Sequence, residues 1–318
     1  MPTLARRKDF LSVLDFDASG LERCLELAAR IKADRSLGRR APTAEALDGR
    51  HVAMLFDKPS LRTRTTFEIA VRELGGHVVS LQADVALGRR EPAEDVARNL
   101  ERWVDSVVIR TFSQRLLKQF AAAAPHLHVV NALTDEEHPC QAIADFLTLH
   151  ERWGTIRGRT VAFVGDGNNV AASLAHAAAL LGANLHVASP KGYQLPLTVV
   201  QQATSAARHG ARLRLFNDAV DAVAGADAVY TDTWTSMGQE SEADARRLTF
   251  APYQVNDGLM ALANPGALFM HCLPAHRGEE VTADVFESPA AVVFDQAENR
   301  LHGQKALLLM LLASAAHV

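Results

Sequence analysis

Short apolar runs rich in β-branched residues recur at positions 51–56, 77–81, 106–110, 128–131, 160–164, 185–189, 212–216, 228–231 and 267–271. Between them the period of the apolar positions changes. Phe67, Ala70, Val71 and Leu74 keep the i, i+3, i+4, i+7 spacing of one helical face, with Gly75-Gly76 as a stop, and Val96, Leu100 and Trp103 extend the pattern to the next helix. Strand and helix therefore alternate. The strand-like runs lack strict polar alternation, so both of their faces are expected to be covered, as in parallel sheets with helices on each side. The expected fold class is α/β, in two domains, each a mainly parallel sheet flanked by helices.

A helical pattern over 139–153 leads into a short polar, glycine-bearing link at 154–159, after which a second βαβ series begins at Thr160. This places the domains at 1–153 and 154–294, with the helix-like segment 295–318 returning to complete the first. A chain of 318 residues, 48% of them hydrophobic, has ample apolar surface for two cores. Its net charge of −4, from 33 basic and 37 acidic residues, creates no global field favouring nucleic acid or an anionic membrane. Any anion site must be local. The longest apolar runs, such as 306–316, fall short of the roughly 20 residues needed to cross a bilayer. The opening MPTLARRKDF has no signal-like apolar stretch behind it, so a cytoplasmic protein is expected. Cys24, Cys140 and Cys272 fit neither a disulfide framework nor a CxxC site, and the 13 histidines form no compact ligand pair; no metal is expected.

Chemistry concentrates at strand ends. The segment DKPSLRTRTT at 57–66 joins a strand to an amphipathic helix, with Ser60 placed to cap it. Backbone N–H groups, hydroxyls and guanidiniums meet at that helix N-terminus, which suits a phosphate; cations alone there oppose the helix dipole. Arg62 and Arg64 lie about 200° apart on a helix, so one binds and the other braces. At DEEHPCQ, 135–141, His138 and Gln141 share a helical face and suit a carbonyl oxygen beside an amino group, although ordinary capping accounts for the same junction. GDGNN at 165–169 invites a dinucleotide reading. That reading fails because Val170 replaces the third glycine, and the next strand ends in Ser189-Pro190 where a ribose-binding acid would stand. Asp232 ends another strand, where an acid suits an ammonium group. His271 and Cys272 are neighbours on a strand and point to opposite faces, which disfavours a nucleophilic dyad; a buried, inert cysteine is the plainer reading. Arg300 opens as a solvated or paired charge.

In order, SLRTR at 60–64, HPCQ at 138–141, GDGNN at 165–169, DTWTSMGQE at 232–240, HCLPAHRGEEV at 271–281 and ENRLHGQKALL at 298–308 resemble the ornithine carbamoyltransferase family over nearly the whole chain. The resemblance implies carbamoyl transfer from carbamoyl phosphate to L-ornithine, without a metal or organic cofactor. It implies that Ser60, Leu61, Arg62, Thr63 and Arg110 hold the phosphate, and that His138, Gln141 and Arg300 contact the carbamoyl end. Asn169 rather than Asn168, with Asp232, Ser236 and Met237, would hold ornithine. Cys272 and Leu273 would lie between the substrates, and Arg110, His138, Asp232 and Cys272 would act in catalysis. The family is built as trimers or multiples of trimers, with a loop lent by the neighbouring subunit. In that loop Ala86 stands where many relatives place a polar phosphate ligand, leaving Arg90 as the basic contact.

Rival readings remain at this point. Aspartate as acceptor calls for basic residues where Ser236, Met237, Gly238 and Cys272 stand, and putrescine has no need of the SMG loop. An N-acylated ornithine, or a silent carbamoyl-phosphate-binding protein suggested by Ala86, are the alternatives carried forward.

Overall fold

In the computed structural model, which describes residues 8–57, 60–81, 90–235 and 238–314, each of the nine apolar runs contains a strand. β1 (His51–Phe56), β2 (His77–Ser80), β3 (Ser106–Arg110) and β4 (His128–Leu133) form one parallel sheet in the order β2-β1-β3-β4. β5 (Thr160–Val164), β6 (Asn184–Ala188), β7 (Leu213–Phe216), β8 (Ala228–Thr231) and β9 (Leu268–His271) form a second, also parallel, in the order β7-β6-β5-β8-β9. The chain divides into two compact units. One takes in the chain up to Leu147 and again from Glu298; the other is Thr148–Ala297.

In the first unit, α1 (Ala18–Asp34), α2 (Leu61–Glu73), α3 (Ala93–Leu100) and α4 (Gln114–Ala123) accompany the four strands. One core forms where Val96, Ala97 and Leu100 of α3 and Leu117 and Phe120 of α4 meet Ala53, Leu55, Val107, Ile109 and Val129 of the sheet. The period read for α3 fails at Trp103. The helix ends at Leu100, the Trp103 N–H turns back to the Leu100 carbonyl at 3.0 Å, and the indole is 67% exposed. Once the turn begins, helical spacing no longer decides which way a side chain faces.

α5 (Pro139–Trp153) crosses the division at Leu147/Thr148. The second unit adds α6 (Asn169–Leu181), α7 (Leu197–Ala206), α8 (Ala219–Val223), α9 (Ala243–Phe250), α10 (Asp257–Met260) and α11 (Ala283–Phe286). Twelve residues of α6 are buried, so it is apolar all round, as a helix enclosed on every side must be. α12 (Val293–Leu312) begins in the second unit and returns to the first from Glu298 onward. Gly303 permits its approach to α5, since a Cβ there would stand 2.8 Å from Ile143 Cγ2.

The strand orders position the chemistry. In each sheet the chain runs outward on one side and then restarts on the other, so there is a switch between β1 and β3 and another between β5 and β8. Loops leaving neighbouring parallel strands diverge at such a switch and open a crevice at the carboxyl edge. Ser60–Arg64 follow β1 at the start of α2 and Arg110 ends β3, while 165–169 follow β5 and Asp232 follows β8.

Candidate active site

In the first unit, Phe56 and Arg110 are register partners at the ends of β1 and β3. The Asp57 N–H donates to the Arg110 carbonyl at 2.9 Å, and Thr111 Oγ1 donates to Asp57 Oδ2 at 2.7 Å, fixing where the loop leaves the sheet. Ser60 takes the N-cap position of α2, as expected, but its hydroxyl does not cap. It accepts from Arg110 Nη1 at 3.3 Å instead, so the amide end of α2 and the Arg110 guanidinium are held together. Leu61, the first helical residue, is 77% exposed and Thr63 is buried. Arg64 turns outward onto Glu68, Nε to Oε1 3.1 Å.

Arg300 departs from its plain sequence reading. It is 3% exposed, with Nη1 donating to Gln141 Oε1 at 2.5 Å and Nη2 to Thr63 Oγ1 at 2.6 Å. Gln141 Nε2 in turn donates to Asp145 Oδ1 at 2.8 Å. One guanidinium thus links α2, α5 and α12. Beside it, burial drives His138 well below the ordinary histidine value, and the positive charges of Arg300, Arg110 and Arg62 add to the effect. The imidazole is therefore neutral at physiological pH, among three guanidiniums. Arg90 lies exposed just before α3, while Ala86 falls outside the described residues.

In the second unit, Asn168 caps α6, its Oδ1 accepting from the N–H groups of Val170 and Ala171 at 3.0 and 3.1 Å. Its Nδ2 donates to Asp232 Oδ2 at 2.8 Å, joining the loops after β5 and β8. Asn169 follows as the first residue of α6. Asp232 Oδ1 accepts from the Thr233 N–H at 2.8 Å and from the Cys272 thiol at 2.9 Å. Cys272 is partly exposed, so it is not the buried, inert cysteine of the plainer reading; burial pushes the thiols of Cys24 and Cys140 up to about 12.

His271 forms no dyad with Cys272. Its Nδ1 accepts the Leu273 N–H at 2.9 Å, which leaves the proton on Nε2, facing Glu280 Oε1 at 3.2 Å. Leu273 sits at φ 62°, a left-handed conformation that costs a branched residue energy and that this hydrogen bond holds in place. Ser236 and Met237 lie outside the described residues.

Comparison with known families follows the same division. The family model for "Aspartate/ornithine carbamoyltransferase, carbamoyl-P binding domain" matches residues 8–151, and that for the "Asp/Orn binding domain" matches residues 157–311. The chain belongs to the aspartate/ornithine carbamoyltransferase family. An ornithine carbamoyltransferase of Symbiobacterium thermophilum is 50% identical over 313 residues, which is 98% of this chain and 100% of the relative. The solved ornithine carbamoyltransferase of Pyrococcus furiosus matches with a TM-score of 0.92 at 47% identity, covering 98% of each chain. That of Thermus thermophilus gives 0.86 at 43% identity, covering 96% of this chain and 99% of the other.

Within this carbamoyltransferase fold, GDGNN has a steric reason for its second glycine. A Cβ on Gly167 would stand 2.4 Å from the Leu195 nitrogen and 2.5 Å from the Gln194 carbonyl carbon. These are backbone atoms that cannot swing aside. Gly167→Ala is expected to destabilise the protein by about 1–3 kcal/mol or more through overpacking, seen as a lowered urea midpoint with an unchanged m-value.

Sequence reasoning missed Arg246 and Asp166. Arg246, on α9, is 2% exposed, lies over the rings of Tyr193 and Phe250 at 4.9 and 5.1 Å, and donates to both the Trp234 carbonyl and the Asp166 carboxylate. It ties the GDGNN turn to the loop after β8 a second time, behind the Asn168–Asp232 bond. In the sequence Arg246-Arg247 resembles a solvated helical face; the one available signal is the aromatic Phe250 four residues on.

Proposed function

We propose that this protein transfers the carbamoyl group of carbamoyl phosphate to the δ-amine of L-ornithine, giving L-citrulline and phosphate. The observation that carries the reading is the buried Arg300 guanidinium held by Gln141 and Thr63, with the Arg110–Ser60 bond and the buried His138, at the carboxyl edge of the first sheet. Such a site meets a phosphate dianion with fixed cations and a carbonyl oxygen with a donor that is not itself charged. In this assignment Ser60, Leu61, Arg62, Thr63 and Arg110 hold the phosphate. His138, Gln141 and Arg300 contact the carbamoyl group, with Cys272 and Leu273 completing the donor contacts. Asn169, Asp232, Ser236 and Met237 hold ornithine. The first unit is then the carbamoyl-phosphate domain and the second the ornithine domain.

An alkyl ammonium has a pKa of about 10.4, so freeing the amine at pH 7 costs roughly 4–5 kcal/mol. Asp232 favours binding of the cation and opposes its deprotonation; Asp232 and Cys272 therefore act by positioning. The nitrogen lone pair attacks the carbonyl carbon, the bond from carbon to the phosphate oxygen breaks, and the amine proton leaves to the departing phosphate or to solvent. His138 and Arg110 stabilise the developing oxyanion, and Arg62 the leaving phosphate. Arginine metabolism in the cytoplasm is the setting this chemistry fits. A homotrimer, or a multiple of trimers, with Arg90 reaching a neighbouring site, is the assembly the reading carries, and light scattering on the purified protein measures it.

Citrulline formation against a panel of amines, including N-acylated ornithines, tests the acceptor. For the donor, Arg62→Ala removes a charge-assisted contact worth about 1.5–3 kcal/mol, so kcat/KM for carbamoyl phosphate is expected to fall roughly 10- to 150-fold. Unchanged donor affinity and turnover in that variant would sink the assignment.

A further inference from the structure

The histidines form no compact ligand pair in the sequence, yet the turn after β9 brings His276 together with two carboxylates. Gly278, at φ 93°, donates its N–H to the Val281 carbonyl at 2.8 Å, and the Glu279 N–H returns to the His276 carbonyl at 2.9 Å. The resulting turn places His276, Glu279 and Glu280 so that one ligand atom from each lies within 4.8 Å of the others. His276 Nδ1 and Glu280 Oε2 are 3.6 Å apart. Two ligands each 2.0–2.1 Å from a shared tetrahedral zinc ion stand about 3.3 Å apart, so a small closure completes that edge.

The Glu280 carboxylate gives the second, independent reason. Glu280 is fully buried, and its Oε1 is occupied by His271 Nε2 and by the His276 backbone N–H. Its Oε2 is buried and has no hydrogen-bond partner among the described residues, and it faces the His276 ring. A buried carboxylate oxygen without a donor is costly and calls for a cation. Neither neighbouring arginine supplies one, and a neutral His276 leaves the place open. Arg247 pairs through Nε with Glu279 Oε1 at 3.0 Å and through Nη1 with Asp244, while Arg277 turns to Glu287 and lies over Phe286. Glu279 keeps its other oxygen for a ligand, and the half-exposed His276 leaves an open side for water.

We propose that His276, Glu279 and Glu280 form a binding site for a divalent zinc ion, three protein ligands with the fourth position open. One imidazole and two carboxylates suit zinc better than magnesium, which prefers an all-oxygen octahedron. A second group with metal-binding side chains, Asp232, His271 and Cys272, is less suited, because both His271 ring nitrogens and the Cys272 thiol are already engaged. The site stands independently of the carbamoyl-transfer assignment.

The test is calorimetric titration of chelator-treated, full-length protein with zinc chloride, alongside His276→Ala, Glu279→Gln and Cys272→Ser. Wild type is expected to bind one zinc per chain. Outer-shell partners alone are worth roughly 10–100-fold in metal affinity, so loss of a ligand in His276→Ala or Glu279→Gln should weaken binding at least that much, while Cys272→Ser keeps it. Since His276 is half-exposed, its replacement spares the fold; zinc should raise the melting temperature of wild type and of Cys272→Ser, and leave that of His276→Ala unmoved. Binding unaffected by His276→Ala, binding lost only in Cys272→Ser, or no binding by wild type would each overturn the proposal.

Discussion

Arg246→Ala is expected to unfold far more readily than the parent chain, by about 3–5 kcal/mol, because it leaves the Asp166 carboxylate with no cation in a largely buried setting. Arg246 is itself 2% exposed and lies against the touching rings of Tyr193 and Phe250, so its removal also empties a packed slot. The pH dependence gives a signature that lost packing would not. Burial raises the Asp166 carboxyl above its ordinary value, against the opposing charge and hydrogen bond of Arg246. Without the arginine the carboxyl rises further, and between the unfolded and folded values the native chain holds a proton that the unfolded chain has released. Stability then falls as pH rises through that window. The variant should be closest to wild type in acid and furthest from it above neutrality, by urea denaturation at a series of pH values. A deficit independent of pH would assign the effect to packing alone.

A functional consequence accompanies the structural one. Arg246 holds the Trp234 carbonyl, two residues beyond Asp232, and Asp166 lies two residues before Asn168. Under the proposed assignment its loss loosens the acceptor half and leaves the donor half untouched. The ornithine KM should rise with little change in the carbamoyl phosphate KM. Arg246→Lys keeps the charge but not the two-pronged guanidinium geometry, and should recover stability more than acceptor affinity.

The reason Arg246 escaped notice in the sequence also explains what the sequence does disclose. Nine strand positions and the βα alternation were legible because a strand buried on both faces must be apolar along its length, and that constraint is local. The helix start at Ser60 was legible for a similar reason, though not its use: the hydroxyl serves Arg110, fifty residues on, a partner that only the β1–β3 pairing brings near. Arg300 shows the same limit. Nothing within a turn of it announces burial; Thr63 and Gln141 reach it from α2 and α5. The resemblance to a family picked out Arg300 where physical reading of its neighbours did not; His276 and Glu280 lie in a motif that carries the resemblance, but neither reading gave them a role, because carboxylates at a loop read as solvent-facing.

His138→Ala is expected to lower kcat by about 10²–10³-fold, the usual cost of removing one oxyanion donor, with a smaller change in carbamoyl phosphate affinity. The imidazole is neutral, and this determines what its titration should show. Burial first, and then the charges of Arg300, Arg110 and Arg62, hold its pKa well below the ordinary value. In acid the unfolded chain takes up a proton that the native chain refuses, so the stability from this site is complete above the unfolded histidine value and declines as pH falls toward the folded one. The catalytic counterpart is a pH profile of kcat/KM without a histidine limb near 6.5. Arg300 is the foremost of the three charges acting on His138, and Arg300→Gln removes it while leaving a side chain able to hydrogen-bond to Gln141 and Thr63. The His138 pKa should then rise, and an acidic limb should move toward the neutral range. Ring-selective NMR titration of both proteins measures the shift directly. If His138 already titrates near 6.5 in the parent chain, the three guanidiniums are not acting on it, and the neutral-donor role falls with them.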